Sequence, residues 1–189
     1  MAFISVAEFF RILVMTLALG YIFSGFVPQR IRSPMDYYKK SRFSIDWEDM
    51  KLAIIVTAPA VVLHELGHKF TAMAMGYNAE FFTSYFGLAI GVFLKIVGSP
   101  FIIFIPGYVS IGEAPVLASG IIALAGPMVN LLLWIIATVI VKTAKIRNRK
   151  QIMALMLTKR INGILFIFNM IPLGIFDGAK VLQALLSVF

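Results

Sequence analysis

Long apolar stretches separated by short charged ones divide the 189 residues into spans, not into amphipathic elements. The first runs from roughly Phe3 to Val27, long enough to cross a bilayer. A polar loop with both signs of charge follows from Pro28 to Lys51, and Trp47 marks its return to the membrane interface. The second span runs from about Lys51 to Met75 and contains Pro59, which predicts a kink. Ala114 to Val141 is 28 residues without a charge and forms a third span. Lys142 to Arg160 carries seven basic residues and no acidic one, and reads as a loop. A final apolar stretch starts near Ile161 and is interrupted by Asn169, Pro172, Gly174, Asp177 and Gly178.

Asn78 to Gly112 is irregular. Glu80, Lys95 and Glu113 bound uncharged runs of 14 and 17 residues, and the first is short for a crossing. Aromatic and β-branched residues interspersed with glycine predict short strands with turns, or a hairpin dipping into the membrane. A single transmembrane helix from Gly87 to Pro106 is the competing reading. Charge separates the two. If the segment re-enters without crossing, the basic loops 28–51 and 142–160 share one side, as the positive-inside rule asks of cytoplasmic loops. The expectation is therefore an integral multi-pass membrane protein with both basic loops cytoplasmic and the N-terminus outside. The fold class is an all-α polytopic membrane protein. It has about four main transmembrane helices, five or six segments on the widest count, and a re-entrant or β-hairpin region after the second. Glu8 and Arg11, three apart near the start of the first span, read as a snorkelling interfacial pair.

Composition agrees. The chain is 60% hydrophobic with mean hydropathy +0.93, far above soluble globular usage. Its net charge of +8 sits in loops between spans, where it sets orientation and touches anionic lipid, so no nucleic-acid partner is expected. Cysteine is absent, which excludes disulfides, thiolate ligands and a cysteine nucleophile. No basic n-region with a small-residue cleavage site marks a cleavable signal peptide.

Against this background one short run carries chemistry. His64-Glu65-Leu66-Gly67-His68 is an HExxH motif, and the chain has no other histidine. On a helix, residues four apart share a face, so two imidazoles can bind one zinc ion while Glu65 serves as general base. Ile54 to Leu63 runs apolar into the motif, which suggests hydrolysis inside a membrane. A third protein ligand is needed. The carboxylates embedded in apolar sequence are Glu8, Glu80, Glu113 and Asp177. His64 lies 13 residues beyond Lys51, and Asp177 17 beyond Arg160. At 1.5 Å per residue both sit about 20–25 Å in from the same face, which favours Asp177. Zn²⁺, Asp177 and Glu65 then sum to zero formal charge, and each offsets the burial cost of the others.

HExxH followed about 110 residues later by Asn169-Met170-Ile171-Pro172-Leu173-Gly174-Ile175-Phe176-Asp177-Gly178 resembles the site-2 protease family of intramembrane zinc metalloproteases. Gly126-Pro127 with Asn130 resembles that family's small-residue motif, and Pro106-Gly107-Tyr108-Val109, more weakly, a turn in its sheet-like region. The resemblance covers roughly residues 51–189. Ala179 stands where many members have a second glycine, and the chain ends twelve residues after Asp177, so extra C-terminal helices are not expected.

Residues 1–50, an N-terminal transmembrane helix and polar loop, fall outside the resemblance, which implies a membrane-embedded metalloprotease core over 51–189. It implies one zinc per chain on His64, His68 and Asp177, with Glu65 as general base. Asn169 would hold the substrate strand or polarise its carbonyl. The partners implied are the lipid bilayer and a transmembrane protein or peptide substrate, cut in or near its membrane segment. A zinc transporter or non-catalytic metal-binding membrane protein is the alternative; it would carry several ligand sets along a path.

Overall fold

The computed structural model describes residues 4–25, 47–99, 105–146 and 148–188. Most of loop 28–51 therefore lies outside the described residues. Helix α1 spans Val6–Ser24 and α2 Trp47–Ala74, which continues through Pro59. Strand β1 (Ala79–Thr83), helix α3 (Tyr85–Val97) and strand β2 (Gly107–Ile111) follow. Helices α4 (Val116–Thr143), α5 (Arg149–Asn169) and α6 (Asp177–Leu186) complete the chain. Of these, α1, α2, α4 and α5 are long and apolar enough to cross a membrane. Their outer faces carry exposed Phe9, Phe10, Leu13, Leu132, Ile135 and Val139, a surface suited to lipid.

The region after α2 is a hairpin that holds a short helix. β1 and β2 pair antiparallel from Ala79↔Ile111 to Thr83↔Gly107, so the chain leaves and returns at one place. The 13-residue α3 between them is about 20 Å long, short of a ~30 Å hydrocarbon core. The competing helix from Gly87 to Pro106 is thereby corrected. Gly98 ends α3 at φ 73°, a left-handed cap other residues rarely adopt. Pro106 already belongs to the approach to β2, its carbonyl accepting from Ser84 N–H at 3.0 Å.

A second correction concerns residues 142–160. Only a short connection separates α4 from α5, and α5 begins at Arg149, capped by the Asn148 side chain accepting from Lys150 N–H at 2.9 Å. The fourth span thus starts twelve residues before Ile161. Lysine and arginine are good helix formers with long stems, and the run Ile152 to Leu157 gives the segment an apolar body. Arg160 lies within this helix and not in a loop.

The third correction is Glu8. It does not pair with Arg11. Both Glu8 and Lys69 are buried, and they bond to each other. Glu8 Oε1 also accepts from Phe81 N–H at 2.8 Å, and Oε2 from Ser5 N–H at 2.8 Å. Arg11 instead reaches Glu80 at 2.6 Å and the Phe81 carbonyl at 2.9 Å. Lys95 donates to the Tyr21 carbonyl and, at 2.8 Å, to Ser24 Oγ, closing the end of α1. Met15, Leu19 and Ile22 of α1 pack with Phe81 and Leu88 into the apolar core on this side. On the other side α4 is central, packed against α2, α5 and α6.

Candidate metal centre

The site forms where α2, α4 and the start of α6 meet. His64 and His68 lie one turn apart on α2, and both are buried. Two small-residue contacts let α4 approach. A Cβ at Gly67 would stand 3.2 Å from the Ala125 carbonyl oxygen. At Gly126 it would collide with His68 Nε2 and stand 2.8 Å from His64 Cε1. Gly126 is therefore the floor of the imidazole pair, and no larger residue fits without displacing a ring.

Asp177 opens α6. The helix's N-cap is Phe176, so Asp177 is its first helical residue and not the cap. A negative charge is also favoured there by the positive end of the helix dipole. Its Oδ2 lies 3.3 Å from His64 Nε2 and 3.3 Å from His68 Nε2, and the two Nε2 atoms lie 3.1 Å apart.

The other ring nitrogens are engaged. His68 Nδ1 lies 2.8 Å from the Ile122 carbonyl, which can only accept, so Nδ1 donates. His64 Nδ1 faces Asn130 Oδ1 at 2.6 Å and donates likewise. Both Nε2 lone pairs and a carboxylate oxygen then converge on one point, an arrangement that calls for a cation. A tetrahedral zinc with bonds of about 2.0–2.1 Å has ligand–ligand edges of about 3.3–3.4 Å, close to the triangle seen. The donor set fits zinc. Among the described residues this is the one such group of three His or carboxylate ligands.

Glu65 follows His64 directly on α2 and is buried with the two histidines. Among the described residues nothing hydrogen-bonds its carboxylate, which leaves it open to a water or substrate. Asn169 ends α5, and its Nδ2 donates to the Leu165 carbonyl at 3.0 Å. Of the other carboxylates considered in sequence, Glu8 pairs with Lys69 and Glu80 with Arg11.

A family model described as Peptidase family M50 matches residues 52–155. The chain belongs to peptidase family M50, the site-2 protease family. It is 36% identical over 138 residues to a Methanocaldococcus jannaschii protein named "Putative zinc metalloprotease", an alignment covering 70% of this chain and 69% of that protein. No solved structure matches. The family and the four apolar helices make this a multi-pass membrane metalloprotease. Membership in a peptidase family weighs against the zinc-transporter alternative. The matched region holds both histidines, Glu65 and Asn130, and stops before Asn169 and Asp177.

Two features escaped sequence reasoning. Asn130 reads from sequence as glue between helices; its partner across the interface is His64 itself. The signal was its spacing, four residues after Gly126, which puts both on the α4 face turned to the motif. Lys69 follows His68 directly, but nothing local announces that its partner lies 61 residues away on α1.

Proposed function

We propose that this chain is an intramembrane zinc endopeptidase that hydrolyses a peptide bond in or near a transmembrane segment of a membrane-protein substrate. The observation that carries the reading is the triangle of buried His64 and His68 with half-buried Asp177, and buried Glu65, among helices long enough to cross a bilayer. His64, His68 and Asp177 would hold one zinc per chain. Bound zinc supplies a Lewis acid that acidifies water and polarises a carbonyl. Glu65 takes the proton from the attacking water and returns it to the leaving amine nitrogen. Asn169 holds the substrate strand or polarises its carbonyl.

The substrate must be locally extended, because helical carbonyls are hidden in hydrogen bonds. The β1–β2 sheet suits an extended partner by β-augmentation. The outer side of β1 is taken at Phe81, whose N–H and carbonyl are bonded by Glu8 and Arg11. That leaves β2. Phe81 pairs with Val109, so the backbone groups of Val109 point to the opposite, outer edge. Substrate would add there.

In the membrane, residues 51–189 form the protease core, and α1 packs against it. The basic loop 28–51 and the basic connection between α4 and α5 lie on the cytoplasmic side and the N-terminus outside. The 2.9 Å ion pair between Glu48, at the start of α2, and Lys150, at the start of α5, supports one side for the two loops.

The test is metal content and cleavage together. Purified protein should hold about one zinc per chain, as a single site of this type requires. Glu65→Gln should keep the zinc and lose nearly all cleavage of single-span membrane peptides in detergent. Cleavage by that variant at the wild-type rate would overturn the mechanism.

A further inference from the structure

We infer that Asn162 is a positioning residue for the metal centre: together with the Ala60 carbonyl it fixes which way Asn130 turns its amide, and through Asn130 the tautomer of His64. The inference rests on the zinc reading above. Asn130 on α4 and Asn162 on α5 are both 0% exposed. Each amide nitrogen and oxygen of the two has at least one partner, and the partners leave one orientation.

The chain of bonds starts at a group that cannot reverse. The Thr158 carbonyl only accepts, and Asn162 Nδ2 donates to it at 2.8 Å. Asn162 Oδ1 is thus left to face Asn130, where it accepts from Nδ2 at 2.9 Å. The same Asn130 nitrogen donates its second hydrogen to the Ala60 carbonyl, also at 2.9 Å. Both hydrogens of the Asn130 amide are now used, and its Oδ1 meets His64 Nδ1 at 2.6 Å. An amide oxygen only accepts, so Nδ1 carries the hydrogen and Nε2 keeps its lone pair. That lone pair faces His68 Nε2 and Asp177 Oδ2.

Turning Asn130 over would reverse the outcome. Its NH₂ would face His64 and ask Nδ1 for a lone pair, moving the ring hydrogen to Nε2, where a metal ligand must have none. Its oxygen would meet two other oxygens, those of Ala60 and Asn162. Asn162 opposes that state without touching the histidine. It also stands seven residues before Asn169, two turns along the same face of α5. The helix that ends at the proposed substrate residue therefore also holds the metal centre's orientation.

The test uses Asn130→Leu, Asn162→Leu and the double variant of the full chain in detergent, each confirmed as folded by circular dichroism. Competition against a chelator reads zinc affinity. Asn130→Leu should weaken it about 10–100-fold, as loss of an outer-shell partner does elsewhere. Asn162→Leu should weaken it by about three- to tenfold, a share of the same effect. The double variant should bind no more weakly than Asn130→Leu alone, because Asn162 acts only through Asn130.

A second readout needs no metal. With two histidines in the chain, ¹⁵N-histidine spectra of metal-free protein at alkaline pH should show Nδ1–H for His64 in the wild type. They should show a tautomer mixture in Asn162→Leu. Losses that multiply in the double variant, or an unchanged tautomer in Asn162→Leu, would overturn the relay. A wild type that holds no zinc would sink the zinc reading instead, and the metal-free spectra would still decide the relay.

Discussion

The carboxylate of Glu8 and the ammonium of Lys69 are shut away from solvent together, one residue past the second histidine of the motif. The pair joins α1 to the helix that carries the site, and the Phe81 N–H on the same carboxylate ties in the hairpin. Removing one partner strands a charge in a medium that solvates it poorly. Glu8→Leu is expected to cost about 3–5 kcal/mol. Glu8→Leu with Lys69→Met should cost much less. Thermal unfolding in detergent measures both, and an unchanged midpoint for Glu8→Leu would show that the pair contributes nothing.

Gly126 lies against both imidazoles, so its hydrogen is the only side chain the rings leave room for. Gly126→Ala should lower zinc affinity by about tenfold or more, through displaced ligands and not through lost ones. Metal competition reads the effect. Wild-type affinity in this variant would mean that the rings sit elsewhere when zinc is bound.

Asp177 supplies the charge of the triangle and the histidines supply none. Asp177→Asn keeps the shape and should lose most zinc at equal folded fraction, while Asp177→Glu keeps some with poor geometry. Asn169→Ala should keep its zinc and lose turnover, because its proposed partner is substrate. Zinc held by Asp177→Asn as tightly as by wild type would send the search for a third ligand to Glu113, since Glu80 is engaged by Arg11.

Val109 offers a clean probe of the strand edge. Its N–H points away from β1, so Val109→Pro removes an outward donor and no sheet bond. The Michaelis constant for a membrane peptide should rise several-fold with zinc content unchanged. An unaltered constant would move substrate docking off β2.

The Glu48–Lys150 contact makes the topology testable in a chain without cysteine. Cysteines introduced singly at 48 and 150 should both react with an impermeant reagent from the cytoplasmic side. Reaction from opposite faces would refute the shared placement of the two loops.

Spans and motif were legible because each is local. Hydrophobic length announces a membrane helix, and a four-residue spacing puts His64 and His68 on one face whatever surrounds them. The hairpin after α2 was half legible: glycine and aromatic content suggested strands, and the short helix between them went unforeseen. What failed was the reading of residues 149–160 as part of a loop. Lys150, Lys159 and Arg160 lie inside α5, because long cationic stems lie along a helix and carry their heads outward.

By itself, then, the sequence determined a multi-pass membrane protein with one histidine pair, a neighbouring acid and a short choice of third ligands. Only the tertiary structure decided which acid meets the pair, that Gly126 floors it, that Asn130 and Asn162 orient it, and that Glu8 belongs to Lys69. Each of these joins residues far apart in the chain. Sequence spacing fixes direction along one helix, but which faces of different helices meet is set by packing. A buried polar group finds its partner only when that packing has excluded water from every other choice.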